Sequence, residues 1–225
     1  MKFIRNHWYD IGAILGIVVI VLTIVYWNRM GTLKRIAVLN FIVILWHMFE
    51  EYRLPGGEGA ITNLAMQPSE KGNADRYPLN QNNAMWINVF AAYVLYLFPI
   101  IWPELIWLSF MPIVFGLLQV IVHAIVTPKK LHTWYSPGEF AVVLGHLPLG
   151  VYWFYYTVSH GLLNWLNVLC GILYLVGFIV IGMKKIGYGL LADPNSPYPF
   201  PKSEFERSGY AKRIREFNNN GSKPY

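Results

Sequence analysis

Residues 11–27 read IGAILGIVVIVLTIVYW, an uncharged run broken only by one threonine. A stretch this long and apolar is stable in a bilayer, and it crosses as a helix because only a helix satisfies its own backbone polar groups there. Lys2 and Arg5 precede the run, as they would in a secretory leader. No small-x-small cleavage pattern follows, and Arg29 and Met30 come directly after, so a retained first span is expected.

Outward from this segment the same pattern repeats. Hydrophobic residues make up 55 % of the 225-residue chain and charged residues only 13 %, and long apolar runs alternate with short polar breaks. Spans are expected at about 9–27, 34–53, 84–101, 103–127, 137–158 and 162–183. Pro103 is read as a first-turn proline and Pro128 as a stop. The expected fold is all-α: a polytopic membrane helical bundle of about six transmembrane helices over 1–185. A polar loop at about 54–83 and a polar C-terminal tail at 186–225, partly extended or disordered, lie outside it. Ser136-Pro137-Gly138-Glu139 reads as a capping box opening the fifth span, with Ser136 as N-cap and Glu139 reaching back to it.

Six spans place the N-terminus, the 54–83 loop, the 128–136 loop and the tail on one face. That face carries Lys2, Arg5, Arg53, Lys71, Arg76, Lys129, Lys130 and the eight basic residues from Lys184 onward, against Arg29, Lys34 and Arg35 on the other. Both termini are therefore expected to be cytoplasmic, in a multi-pass protein of the plasma membrane. The net charge of +6 points to anionic headgroups and not to nucleic acid. The single cysteine, Cys170, lies in an apolar run and reads as a buried inert thiol.

Ionisable residues inside spans are costly and default to functional candidates. His47, Glu50 and Glu51 share one face of the second span by their i, i+3, i+4 spacing. Two adjacent carboxylates near a helix C-terminus need a cation, which a divalent metal, Arg53 or protonation could supply. Gln119 and His123 face together in the fourth span; His146 lies in the fifth and Asn88 in the third. The charge-derived topology gathers all of these into the cytoplasmic half of the membrane.

His47-x-x-Glu50-Glu51, then His123, then Tyr135-x-Pro137-Gly138 resembles the HXXEE family of integral membrane proteins, across most of the chain. The resemblance implies membrane topology and importance for His47, Glu50, Glu51, His123, Tyr135, Pro137 and Gly138; it implies no reaction. Histidine nitrogens with carboxylate oxygens suit a divalent ion, with Zn ranked ahead of Fe or Mn. The expected metal set is His47, Glu50, Glu51, His123 and His146, with Glu50 or Glu51 as general base, and Asn88, Gln119 and Tyr135 supporting the ligands or substrate. A polar network that fixes helix packing and a proton or ion pathway are the competing readings.

The leading functional expectation is a metal-dependent membrane hydrolase acting on a lipid or another amphipathic substrate. A di-metal oxidoreductase ranks second, because such sites recruit more carboxylates than this half of the membrane offers. An ion- or proton-coupled transporter using the carboxylates is a third reading, kept open by Pro99, Pro112 and Pro148 as helix kinks, and a structural accessory protein a fourth.

Overall fold

A computed structural model describes residues 2–219, and among them every regular element is helical. Six helices are long and apolar enough to cross a membrane: α1 (Lys2–Arg29), α2 (Thr32–Tyr52), α3 (Gln81–Ile101), α4 (Ile106–Leu131), α5 (Glu139–Ser159) and α6 (Trp165–Leu190). The protein is thus an integral membrane helical bundle. A seventh helix, α7 (Tyr210–Asn219), lies in the tail.

The packing order explains which helix carries polar groups. Helix α2 sits at the centre, packed on α1 and touched by α3, α4 and α5, so nearly its whole circumference is buried. Helix α1 seals its open flank with Trp8 and Tyr9, which meet Tyr52 edge-on and stacked. The first half of α6 packs along α4, and its second half turns to α3. The second halves of α4 and α6 face each other across a cavity.

Prolines set several boundaries differently from the sequence reading. Pro103 does not open α4. The residue before a proline is pushed out of the helical region, and Trp102 (φ −124°, ψ 67°) breaks the chain there, so α4 starts at Ile106. Pro128 does not stop α4 either. The helix widens to i→i+5 hydrogen bonding over Val122–Val126, and a new segment starts at Thr127, with Pro128 where a missing N–H costs nothing. The same device recurs at Val142–His146, just before Pro148.

The polar segments are ordered by long-range contacts. Helix α3 begins at Gln81, not at 84, because Asn80 and Asn83 form a reciprocal cap: the Asn80 side chain accepts from the Asn83 amide, and the Asn83 side chain accepts from the Asn80 amide. The 54–83 loop contains a helical stretch, Glu58–Ile61 continuing through Thr62–Met66. Buried Asn63 fastens it, donating to the Ala74 and Leu79 carbonyls at 2.8 and 2.7 Å and accepting from the Leu79 amide at 2.8 Å. The tail is folded through Asn219. Arg207 donates to the Arg53 carbonyl at 3.0 Å, Gln81 donates to Glu204 at 2.6 Å, and Ile214 of α7 packs with Ile61 and Leu131. The expectation of disorder for residues 220–225 falls outside the described residues.

Candidate metal centre

The motif pair His47-x-x-Glu50-Glu51 and Tyr135-x-Pro137-Gly138 meets in space at the junction of α2, α4 and the entry to α5. Adjacent helical residues point about 100° apart, and the structure gives Glu50 and Glu51 different partners.

Glu50 is turned to the N-terminus of α5. Its carboxylate accepts from the Phe140 and Ala141 amides at 3.0 and 2.9 Å and from the Tyr135 hydroxyl at 2.6 Å. The two amides are orphan donors of a helix start, and a carboxylate at that positive end is favourable. Glu50, expected as a ligand or base, is therefore engaged as a cap delivered from another helix. Burial and this carboxylate together push the Tyr135 phenol up. The capping box expected at Ser136 forms only by half. Glu139 accepts from the Ser136 amide at 2.9 Å, but the Ser136 hydroxyl donates to the His123 carbonyl at 2.7 Å, and Gly138 takes the cap position. Arg53, a candidate to neutralise the acidic pair, instead pairs with Asp10 at 3.2 Å.

Glu51 faces two histidines. Its Oε1 lies 3.4 Å from His47 Nε2 and 3.2 Å from His123 Nε2. All three side chains are buried, at 7 %, 2 % and 4 % exposure, so the cluster is shielded from bulk water. His123 Nδ1–H donates to the Pro137 carbonyl at 2.7 Å and His47 Nδ1–H to the Gly138 carbonyl at 3.3 Å. A carbonyl only accepts, so each Nδ1 carries the proton, and in the neutral ring Nε2 presents its lone pair toward Glu51. Histidine ligands are usually held in this way, with the distal nitrogen tied to a backbone carbonyl. Ligands about 2.0–2.1 Å from a tetrahedral ion stand about 3.3 Å apart, which matches the two separations from Glu51. The donor atoms of His47, Glu51 and His123 all lie within 4.8 Å of one another, a group that could hold a metal ion.

Gly138 makes the close approach feasible. Its φ is +95°, and a Cβ placed there would come within 2.7 Å of His47 Cε1 and 2.9 Å of His123 Nδ1. The Tyr-x-Pro-Gly segment thus supplies two carbonyls and a gap, while Glu50 holds the segment from beneath.

The remaining expected residues fall around this cluster. His146 lies on the α5 side, its ring centroid 6.1 Å from that of His47. Its Nδ1 is 2.7 Å from Asn40 Oδ1, and its Nε2 is buried with no hydrogen-bond partner. It stands outside the three-residue group. Asn88 donates to the Ala84 carbonyl at 2.9 Å and to the Tyr52 hydroxyl at 3.3 Å, and with Gln119 it lines a cavity of about 330 Å³ that His47, Glu51 and His123 also border.

Two residues that the sequence reading passed over belong here. Asn40 is seven residues before His47, hence on its face, and that spacing was a usable signal. Glu58 had none, because it lies in the polar loop and reaches the cavity only through the fold. The Thr62 hydroxyl donates to its Oε1 at 2.5 Å. Burial, reinforced by the charge on Glu51, pushes the Glu58 carboxyl up to about 7.

Fold and site together define a polytopic helical membrane protein with a buried histidine–carboxylate cluster at the meeting of three chain segments. The model of a family described as proteins of unknown function with an HXXEE motif matches residues 38–153, and the chain belongs to that family. No curated protein and no solved structure matches the chain.

Proposed function

We propose that the protein is a membrane-embedded, metal-dependent hydrolase whose substrate is a lipid or a similar amphiphile. The observation that carries the reading is the pair of histidines whose Nδ1 atoms are tied to the Pro137 and Gly138 carbonyls while both Nε2 atoms converge on Glu51. In this reading His47, His123 and Glu51 hold a divalent ion, and zinc suits the donor set best. Such an ion would supply Lewis acidity and a water activated near neutral pH.

The rest is done by the chain itself. Glu50 and Tyr135 fix the segment that orients both imidazoles, and Asn40 holds His146 against His47. Substrate access is supported by the cavity between α4 and α6. Leu118 and Val122 of α4 line the cavity and are also exposed on the outer surface, at 40 % and 36 %, which favours entry from that flank in this reading. In this reading this half of the bundle is the cytoplasmic one, as the Lys/Arg bias of the loops favours.

The test is product formation. The purified protein is reconstituted in vesicles made from total membrane lipid, and lipid products are followed by mass spectrometry. Metal-dependent release of a hydrolysis product, lost in His47→Ala and in Glu51→Gln, is expected. A metal-replete, folded preparation that changes no lipid contradicts the proposal.

A further inference from the structure

The charges around the cavity are one-sided. Glu51 and Glu58 both line it, and no Lys or Arg does so among the described residues. The basic residues of this end of the bundle, such as Lys129, Lys130 and Lys184, are on the exposed surface. A phosphate or carboxylate head entering the cavity would lose its water and meet a second negative charge with no cation except at the metal, which is unfavourable in a low-dielectric site. The neutral polar groups tell the complementary story. Thr62, Gln67, Asn88, Gln119 and the phenol of Tyr188 line the same space and offer both donors and acceptors. Ile44, Leu79, Ile87, Phe115 and Met183 supply apolar walls beside them. The volume of about 330 Å³ lies at the lower end of ligand pockets, which run from about 300 to 1,000 Å³.

We propose that this cavity binds an amphiphile with an uncharged hydroxyl or amide head, and that Glu58, set by Thr62, is the residue that reads that head. The proposal deepens the reading of the site as an amphiphile-binding hydrolase and rests on it. Thr62 occupies Glu58 Oε1, and Oε2 has no hydrogen bond within the protein among the described residues, so it is open to a donor on the ligand. With an ion held by His47, Glu51 and His123, a cationic head would meet that ion's charge, while an uncharged donor meets only Glu58. The exposed edges Leu118 and Gln67 flank the mouth, one apolar and one polar, as the entry of a tailed molecule with a small polar head requires.

The test uses the full-length, metal-loaded protein in nanodiscs, with metal content measured on every sample. Equilibrium binding is followed for three radiolabelled, non-hydrolysable probes of one chain length: the ether analogues of a monoacylglycerol and of a lysophosphatidic acid, named below by their parent lipids, and a primary alkylamine. The monoacylglycerol is expected to bind at least about tenfold more tightly than either charged probe. Glu58→Ala is expected to weaken it about tenfold, the loss of one good hydrogen bond, with metal content unchanged. Thr62→Ala, which leaves the carboxylate in place and frees its orientation, is expected to weaken it by a smaller factor and serves if Glu58→Ala does not fold. Equal or tighter binding of the lysophosphatidic acid, preference for the amine, or monoacylglycerol binding indifferent to both substitutions overturns the proposal. Selective binding by a protein without stoichiometric metal would overturn the metal reading and leave the head-group assignment standing. A loaded protein with no selectivity would do the reverse.

Discussion

Replacing Gly138 with alanine tests the idea that the Tyr135-x-Pro137-Gly138 segment exists to hold the histidines. Two costs add. The backbone at φ +95° is outside the range an L side chain adopts easily, and holding alanine there costs about 1–3 kcal/mol. The new methyl would also meet His47 Cε1 at 2.7 Å and His123 Nδ1 at 2.9 Å, so both rings must move by several tenths of an ångström. The bond from His47 Nδ1 to the Gly138 carbonyl, already 3.3 Å, is the first to go. Loss of such a supporting bond lowers metal affinity about 10- to 100-fold, or about 1.4–2.8 kcal/mol. Competition with a calibrated chelator, alongside circular dichroism to show retained helix, measures this. Gly177→Ala is the control, because nothing lies within 4 Å of a Cβ added there. Wild-type affinity and stability in Gly138→Ala would refute the cradle.

Three further outcomes follow from the same geometry. Glu50→Gln removes the charge that three donors share, so it should lower thermal stability by about 1–3 kcal/mol and weaken metal binding less than Glu51→Gln does; the reverse order would mean the two carboxylates are assigned the wrong way round. With metal removed, the raised Glu58 carboxyl means that the folded state keeps a proton the unfolded chain releases, from about 4.5 up to about 7. Wild-type stability relative to Glu58→Gln should therefore fall as pH rises through that window and level off above it, and a flat difference or one of opposite slope in thermal unfolding would count against the burial of this group. Arg207→Ala removes the bond to the Arg53 carbonyl, so the 54–66 loop should be cut faster in limited proteolysis, whereas an unchanged cleavage rate would show that the tail does not fasten it.

The spans were legible because apolar length is a local property, and a run such as 11–27 has few other stable environments. The histidine–carboxylate group was legible for a similar reason, since His47 and Glu51 are fixed to one face by the helix repeat. The division of labour between Glu50 and Glu51 was not. They are one residue apart, and only the arrival of the α5 amides decides which carboxylate is used as a cap. Arg53 looked available for the acids and found Asp10 of α1. Pro103 and Pro128 were misread for the same physical reason: a proline's effect depends on whether the preceding turn can unwind or widen. Glu58, Asn63 and the docked tail had no periodic signal, because contacts distant in sequence hold them.

The proposed metal centre consists of His47, Glu51 and His123. It is tested most directly by elemental analysis of the purified protein, prepared without chelator, beside His47→Ala and His123→Ala of verified helical content. The expected result is stoichiometric zinc, iron or manganese in the wild type and its loss in both variants. A folded wild type holding none of the three, or variants that keep the wild-type amount, would contradict it.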